Sequence, residues 1–185
     1  MGSREEIMDA TCTALARHGY AETSIQDIAD ETGKSKSLIY HHFEDKEDLM
    51  LSFLEYLTEE IKQEYLVQDD SKTPEEQINE VIDAAIGIDG EKEWELRKSL
   101  FELRSTAAEN LEFQEKFRKI DDMVKHRIQE IIQQTGAEQP ENRAEIITSV
   151  LEGAASRKIT TGDRKGLEKL KKSIEKMVEC KIFEE

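Results

Sequence analysis

Only two prolines and nine glycines interrupt the 185 residues of this chain. Glu, Lys, Leu, Ile and Ala dominate the rest. A proline inside a helix costs roughly 3 kcal/mol relative to alanine and a glycine about 1 kcal/mol, so a chain nearly free of both falls most cheaply into long helices. This disfavours a mostly strand fold. The length is enough to bury a real core, either as one domain or as a small domain joined to a larger one.

Apolar spacing and capping residues divide the chain into about nine helices. Ile7, Ala10, Ala14 and Leu15 recur at helical spacing from Glu5 to Gly19, where glycine supplies a stop. Thr23 and Ser24 are good caps for a short amphipathic helix with Ile25, Ile28 and Ala29, ending near Gly33. Ser35 caps a third helix carrying Leu38, Ile39 and Phe43. Three short helices in fewer than fifty residues form a compact unit whose last two elements are joined by a tight glycine turn. Asp45 then caps a long helix through Leu49, Phe53, Leu57 and Ile61 to about Val67. Asp69 to Lys72 reads as a polar loop. Thr73-Pro74-Glu75-Glu76 combines a cap, a first-turn proline and first-turn acids, opening a helix that fades near Gly87 to Gly90. Further helices are predicted from about Lys92 to Ala107, from about Leu111 to Gln134, from Pro140 to near Gly162, and from Asp163 to about Ile182.

Composition bounds the function. The longest apolar runs, such as Leu49 to Leu51, are a few residues, against the roughly 20 needed to cross a bilayer. No secretory signal pattern opens the chain, so a cytoplasmic protein with no membrane partner is expected. Cys12 and Cys180 sit in helical patterns at opposite ends without metal-ligand spacing, and are read as reduced structural thiols. No glycine-rich phosphate loop, nucleophile elbow, zinc-binding helix motif or cysteine-pair motif is present. Neither an enzyme nor a cofactor or metal site is expected.

The formal net charge of −16 opposes a nucleic-acid partner, because phosphate is drawn to basic surfaces. A salty cytoplasm resolves this: at about 1 M ionic strength the Debye length is about 3 Å, so distant carboxylates repel DNA little while close contacts still count. The lysine-rich basic set, 17 lysines against 9 arginines, fits a moderately salt-adapted host better than an extreme one. Residues 1–50 hold five Lys or Arg against eleven Asp or Glu. Three of those five bases, Lys34, Lys36 and Lys46, cluster around the third predicted helix, the local complementarity that a phosphate partner needs even where the global charge opposes it.

Gly19-Tyr20, Thr23-Ser24, Ile28-Ala29, Ser35-Lys36 through Tyr40-His41-His42-Phe43, and Lys46-Glu47-Asp48-Leu49 together resemble the signature of TetR-type regulators over roughly residues 5 to 50. The resemblance implies an all-α fold, with an N-terminal three-helix DNA-binding domain over residues 1–47 and a C-terminal helical ligand-binding and dimerisation bundle over residues 48–185. By the same resemblance Thr23, Ser24, Tyr40, His42 and Lys46 touch phosphates, which positions the protein without specifying sequence. Ser35, Lys36, Ser37, Leu38 and His41 form the tip and exposed face of the second helix of the motif, where bases are read. Free amides at the start of the helix after Asp45 would add to the phosphate site. Two positions depart from the family pattern. Lys34 stands where an apolar residue is usual and can point to phosphate, and Leu38 stands where Thr is frequent and can meet a thymine methyl or pack. Tyr40 and Phe43 are also candidate core aromatics. His41 and His42 are neighbours that face different directions on a helix, a poor metal pair.

Beyond about residue 51 the likeness is loose, and fold analogy carries the expectations. Pocket candidates are Tyr65, Trp94, Arg97, Leu100, Phe101, Arg104, Phe117 and Met123, a mixture of aromatic, apolar and polar groups. Each also suits plain core. Ile147, Val150, Leu151 and Ala154, with Leu170, Ile174 and Met177, give the last two helices apolar faces for pairing with a second subunit, and an intrachain core would look the same. The expected protein is a ligand-responsive repressor that binds a palindromic double-stranded DNA operator as a homodimer, with a small-molecule effector. The rival is an all-helical sensor or adaptor that keeps the fold without specific DNA binding.

Overall fold

The structure is a computed structural model and describes residues 3–65, 71–86, 91–162 and 165–179. Among the described residues there are nine α-helices and no strand: α1 Ser3–Glu22, α2 Ile25–Thr32, α3 Lys36–His42, α4 Lys46–Tyr65, α5 Pro74–Ile86, α6 Glu91–Thr106, α7 Leu111–Gln134, α8 Pro140–Thr161 and α9 Lys165–Glu179. One 3-10 turn, Ala107–Glu109, links α6 to α7. The expectations for Asp163, Cys180, Ile182 and the breaks at 69–70 and 87–90 lie outside the described residues.

Packing divides the chain into two units, residues 1–60 with 89–118, and residues 61–88 with 119–185. The first is larger than the three-helix reader expected over residues 1–47, because α6 packs along α1. Ile7, Met8, Ala14 and Leu15 of α1 are buried, as are Leu49, Met50, Phe53 and Leu54 of α4 and Leu103 of α6. The buried Ser99 hydroxyl of α6 donates to Leu15 O at 2.6 Å, so a polar group on this face is satisfied rather than stranded.

α1 is not straight. Gly19 adopts φ 77° and ψ 166°, a region closed to other residues. The helix kinks there instead of ending. The Thr23 hydroxyl donates to Gly19 O at 2.6 Å, fastening the chain as it turns into α2.

The second unit has its own core. Ile78, Val81 and Ile82 of α5, Ile128, Ile131 and Ile132 of α7, Ala144, Ile147, Leu151 and Ala154 of α8, and Ile174 and Val178 of α9 form one buried cluster. Each buried Ile, Val or Leu here contributes roughly 1.5–3 kcal/mol relative to exposure. Two buried arginines enter this unit with partners: Arg127 donates to Gln77 Oε1 at 2.7 Å, and Arg143 donates to Met177 O at 3.0 Å near the end of α9. A cation at a helix C-terminus also meets the negative end of the helix dipole. Among the described residues no helix is long and apolar enough to cross a membrane.

Candidate nucleic-acid interface

The geometry of α3 follows from two anchors on one side of a short helix. Ile39 is fully buried and Phe43, four residues on, is 3% exposed. Ser35, Lys36, Ser37, Tyr40, His41 and His42 are left outside and Leu38 at the margin. α2 holds this arrangement by burying Ile25, Ile28 and Ala29. Its start is fixed by a capping box in which the Asp27 carboxylate accepts the Ser24 backbone N–H at 2.8 Å and the Ser24 hydroxyl at 2.6 Å. Those hydrogen bonds hold the Asp27 carboxyl below its ordinary pKa. Its end is Gly33 at φ 64°, whose N–H returns to α2 carbonyls. Glycine takes that left-handed conformation at the least cost. A helix, a tight turn and a second helix with one polar, open face therefore follow from residues 24–43.

Several residues expected at phosphates are engaged within the protein. Thr23 is 2% exposed and spends its hydroxyl on Gly19 O. It ties α1 to α2 and does not present a donor to phosphate. Ser24 is exposed, yet its hydroxyl is turned onto Asp27. The Lys34 ammonium is ion-paired with Glu6 of α1. That pairing holds the Glu6 carboxyl below its ordinary value. Lys46 is half-buried: its ammonium donates to Tyr20 O at 2.7 Å and lies 4.5 Å from the centroid of the Tyr20 ring. Burial lowers its pKa, and Glu22 and Asp27 push it the other way. The α4 start is also less open than expected, because Asp45 Oδ1 accepts the Asp48 N–H at 2.9 Å and Asp48 Oδ2 accepts the Glu44 N–H at 2.9 Å. One amide of the first turn of α4, that of Asp48, is thus already taken by a carboxylate.

Lys36 differs from the other two bases. It is exposed at the first turn of α3 beside Ser35 and Ser37, and among the described residues no hydrogen bond or ion pair engages its ammonium. Tyr40 is 50% exposed, which excludes a purely core role for it. The rings of His41 and His42 meet edge to face at 5.4 Å.

Three residues with a part in this arrangement carried no sequence signal for it. Tyr20 stands in the motif without a role assigned from sequence, and Glu6 and Glu102 stand in ordinary charged positions. Glu102 Oε2 accepts the Tyr20 N–H at 2.7 Å. Such long-range contacts between a side chain and a distant backbone group follow no periodicity.

The pocket and dimer expectations fare differently. Trp94, Arg97, Leu100, Phe101, Arg104 and Phe117 belong to the first unit, while Tyr65 and Met123 belong to the second. The Tyr65 side chain lies outside the described residues. Trp94, Arg97, Leu100, Phe101, Arg104 and Met123 are half-buried. Phe117 is buried, and the Arg104 guanidinium lies 4.7 Å from the centroid of its ring. Of the residues expected to meet a second subunit, Ile147, Leu151, Ala154 and Ile174 are instead buried in the core of their own unit, with Val150, Leu170 and Met177 packed against it. α5 packs against both α8 and α9, while Val150, Leu170 and Met177 stay partly open.

Known proteins share both the motif and the whole fold. Residues 7–53 match the family described as bacterial regulatory proteins, tetR family. The HTH-type transcriptional repressor AcnR of Corynebacterium glutamicum is 42% identical over 50 residues, covering 27% of this chain and 27% of that protein. The chain thus matches about a quarter of the length of such curated relatives. A crystal structure of a regulator from Rhodococcus sp. superposes with a TM-score of 0.81 at 18% identity, over 96% of this chain and 94% of that one. The crystal structure of a TetR transcription regulator from Haloarcula marismortui is 30% identical and covers 95% of each chain with a TM-score of 0.80. With the motif in the N-terminal helices and the likeness running through both units, this chain belongs to the TetR family of bacterial regulatory proteins.

Proposed function

We propose that the chain is a DNA-binding transcription regulator that represses by occluding a promoter as a homodimer and is released by a small-molecule effector. One observation carries this reading: α3 turns Ser35, Lys36, Ser37, Tyr40 and His41 outward on buried Ile39 and Phe43, the presentation that a major-groove helix requires. Residues 1–47 serve as the reader and residues 48–185 as the sensing and dimerising part. Lys36 and Tyr40 make the direct contacts, and Lys46 supports them by holding Tyr20.

The dimer surface moves from the buried stripe to the outer face of α8. Ile146 is 41% exposed, and Ser149 and Gly153 on the same face are exposed. Small residues there let a second helix approach closely. The effector is assigned to α6, where Trp94, Arg97, Leu100 and Phe101 are half-buried. Since α6 also carries Ser99 and Glu102, which bond to α1, an effector that favours a shifted α6 opposes DNA binding through the same helix. Coupling of that kind is reciprocal, so DNA weakens the effector by the factor by which the effector weakens DNA.

The test is fluorescence anisotropy of the purified protein with the DNA flanking its own gene, across a range of salt, beside a Lys36→Ala/Tyr40→Ala double variant. Tight binding by the wild type that the folded double variant loses supports the reader. Folded wild-type protein that binds at no salt concentration favours the helical sensor or adaptor instead.

A further inference from the structure

Two of the three bases at the reader edge are engaged within the protein, and the Lys34 partner is the more telling because it is a carboxylate. Lys34 lies in the turn between α2 and α3, two residues before the exposed Lys36, and its ammonium pairs with Glu6 in the first turns of α1. Both side chains remain partly open, 31% exposed for Lys34 and 39% for Glu6, so the pair is reachable by solvent and by a phosphate. Glu6 also lines an open groove between α1 and α2 with Asp9 and Glu31. Arg17, another base of the reader, is paired to Glu31. Nothing in the core depends on the Lys34 ammonium, which hangs on a flexible stem able to reach a different acceptor.

We propose that Glu6 is an internal competitor for the Lys34 ammonium, standing in for a DNA phosphate, and thereby sets the strength and salt dependence of DNA binding. This rests on the DNA-reading function above and deepens it. A lysine already neutralised by a carboxylate releases little counterion when DNA arrives, so it contributes little to the salt slope; one freed from that carboxylate contributes about 0.9. The acidic reader then works as a device that keeps sequence-independent attraction low while Lys36 and Tyr40 remain free to read.

The experiment compares wild type, Glu6→Gln, Lys34→Ala and the double variant for binding to one labelled mixed-sequence duplex over a range of monovalent salt, with thermal melts to establish that each is folded. Glu6→Gln is expected to steepen the plot of log affinity against log salt by about 0.9 per reader, and to tighten binding about tenfold per reader at about 0.1 M salt. Lys34→Ala alone is expected to leave the wild-type slope unchanged, and to abolish the gain on the Glu6→Gln background. Equal slopes for wild type and Glu6→Gln overturn the proposal, and so does a Lys34→Ala variant that flattens the wild-type slope as much as it flattens that of Glu6→Gln. In either case wild-type binding itself leaves the DNA-reading function standing. Folded wild-type protein that binds neither this duplex nor the DNA flanking its own gene at any salt concentration removes both readings together.

Discussion

Glu102 of α6 closes onto Tyr20 at the kink of α1, its Oε2 accepting the Tyr20 N–H at 2.7 Å. The kink frees this amide from the helical ladder, and a freed donor must find a partner. On the other side of the same residue, Lys46 of α4 donates to Tyr20 O at 2.7 Å. A carboxylate and an ammonium from two later helices thus clasp one residue of the first. Removing the acceptor in Glu102→Ala is expected to lower stability by about 1 kcal/mol, the scale of one net hydrogen bond at an exposed site. Glu102→Gln, whose amide oxygen still accepts, is expected to keep most of it. Urea unfolding of the three proteins is the check, and an unchanged midpoint for Glu102→Ala would show the clasp to be dispensable.

Gly19 is required for two separable reasons. Its φ of 77° is strained for any other residue, and a Cβ there would stand 3.0 Å from Glu102 Oε2. Backbone strain of this kind costs on the order of 1–3 kcal/mol, whereas the side-chain clash can be relieved. Gly19→Ala is therefore expected to lose about 2 kcal/mol, and pairing it with Glu102→Ala is expected not to restore the loss. Calorimetric melting distinguishes the cases, and full recovery in the double variant would make the carboxylate the whole obstacle.

Adjacent isoleucines on α8 make opposite predictions. Ile147 is fully buried while Ile146 is 41% exposed. Ile147→Ala is expected to cost roughly 2–5 kcal/mol through lost burial and the cavity left behind. Ile146→Ala is expected to change the folding stability of the protomer by no more than about 0.5 kcal/mol. Ile146→Asp, however, places a charge on the proposed dimer face, and sedimentation should show dissociation while the far-ultraviolet dichroism keeps its helical signature. Retention of the wild-type oligomer by Ile146→Asp would move the interface elsewhere.

Local physics was legible in the sequence, and the choice of partner was not. Ser24, Thr73-Pro74, Gly33 and Gly162 mark helix ends through capping bonds or positive φ set within a few residues, so spacing and residue type place the elements. The apolar stripes of α8 and α9 were equally plain. Yet a stripe looks the same whether it meets α5 of its own chain or a second subunit, and the core took Ile147, Leu151, Ala154 and Ile174. The exposed side of α3 could be read because Ile39 and Phe43 leave it outside by helical geometry. The fates of Lys34 and Lys46 could not, since long cationic side chains choose acceptors that lie 28 and 26 residues away in sequence.

Tyr56 supplies a test in alkali. Its hydroxyl donates to Asp9 Oδ1 at 3.0 Å, and burial, reinforced by the bond to Asp9 and the Asp9 charge, pushes its pKa up to about 12. An unfolded tyrosine ionises near about 10. The folded chain therefore holds this proton over a range in which the unfolded chain has released it. The stability contributed by the neutral phenol is complete below about pH 10 and is lost as pH rises through about 12. Wild-type protein should accordingly lose stability across that window more steeply than Tyr56→Phe, in which no proton is present to release. The slope remaining in the variant includes Tyr20, whose pKa is also raised, chiefly by burial. Melting temperatures from pH 9 to 12, taken with phenolate absorbance at each point, provide the measurement. Parallel curves for the two proteins would mean that the Tyr56 bond to Asp9 is not maintained in solution.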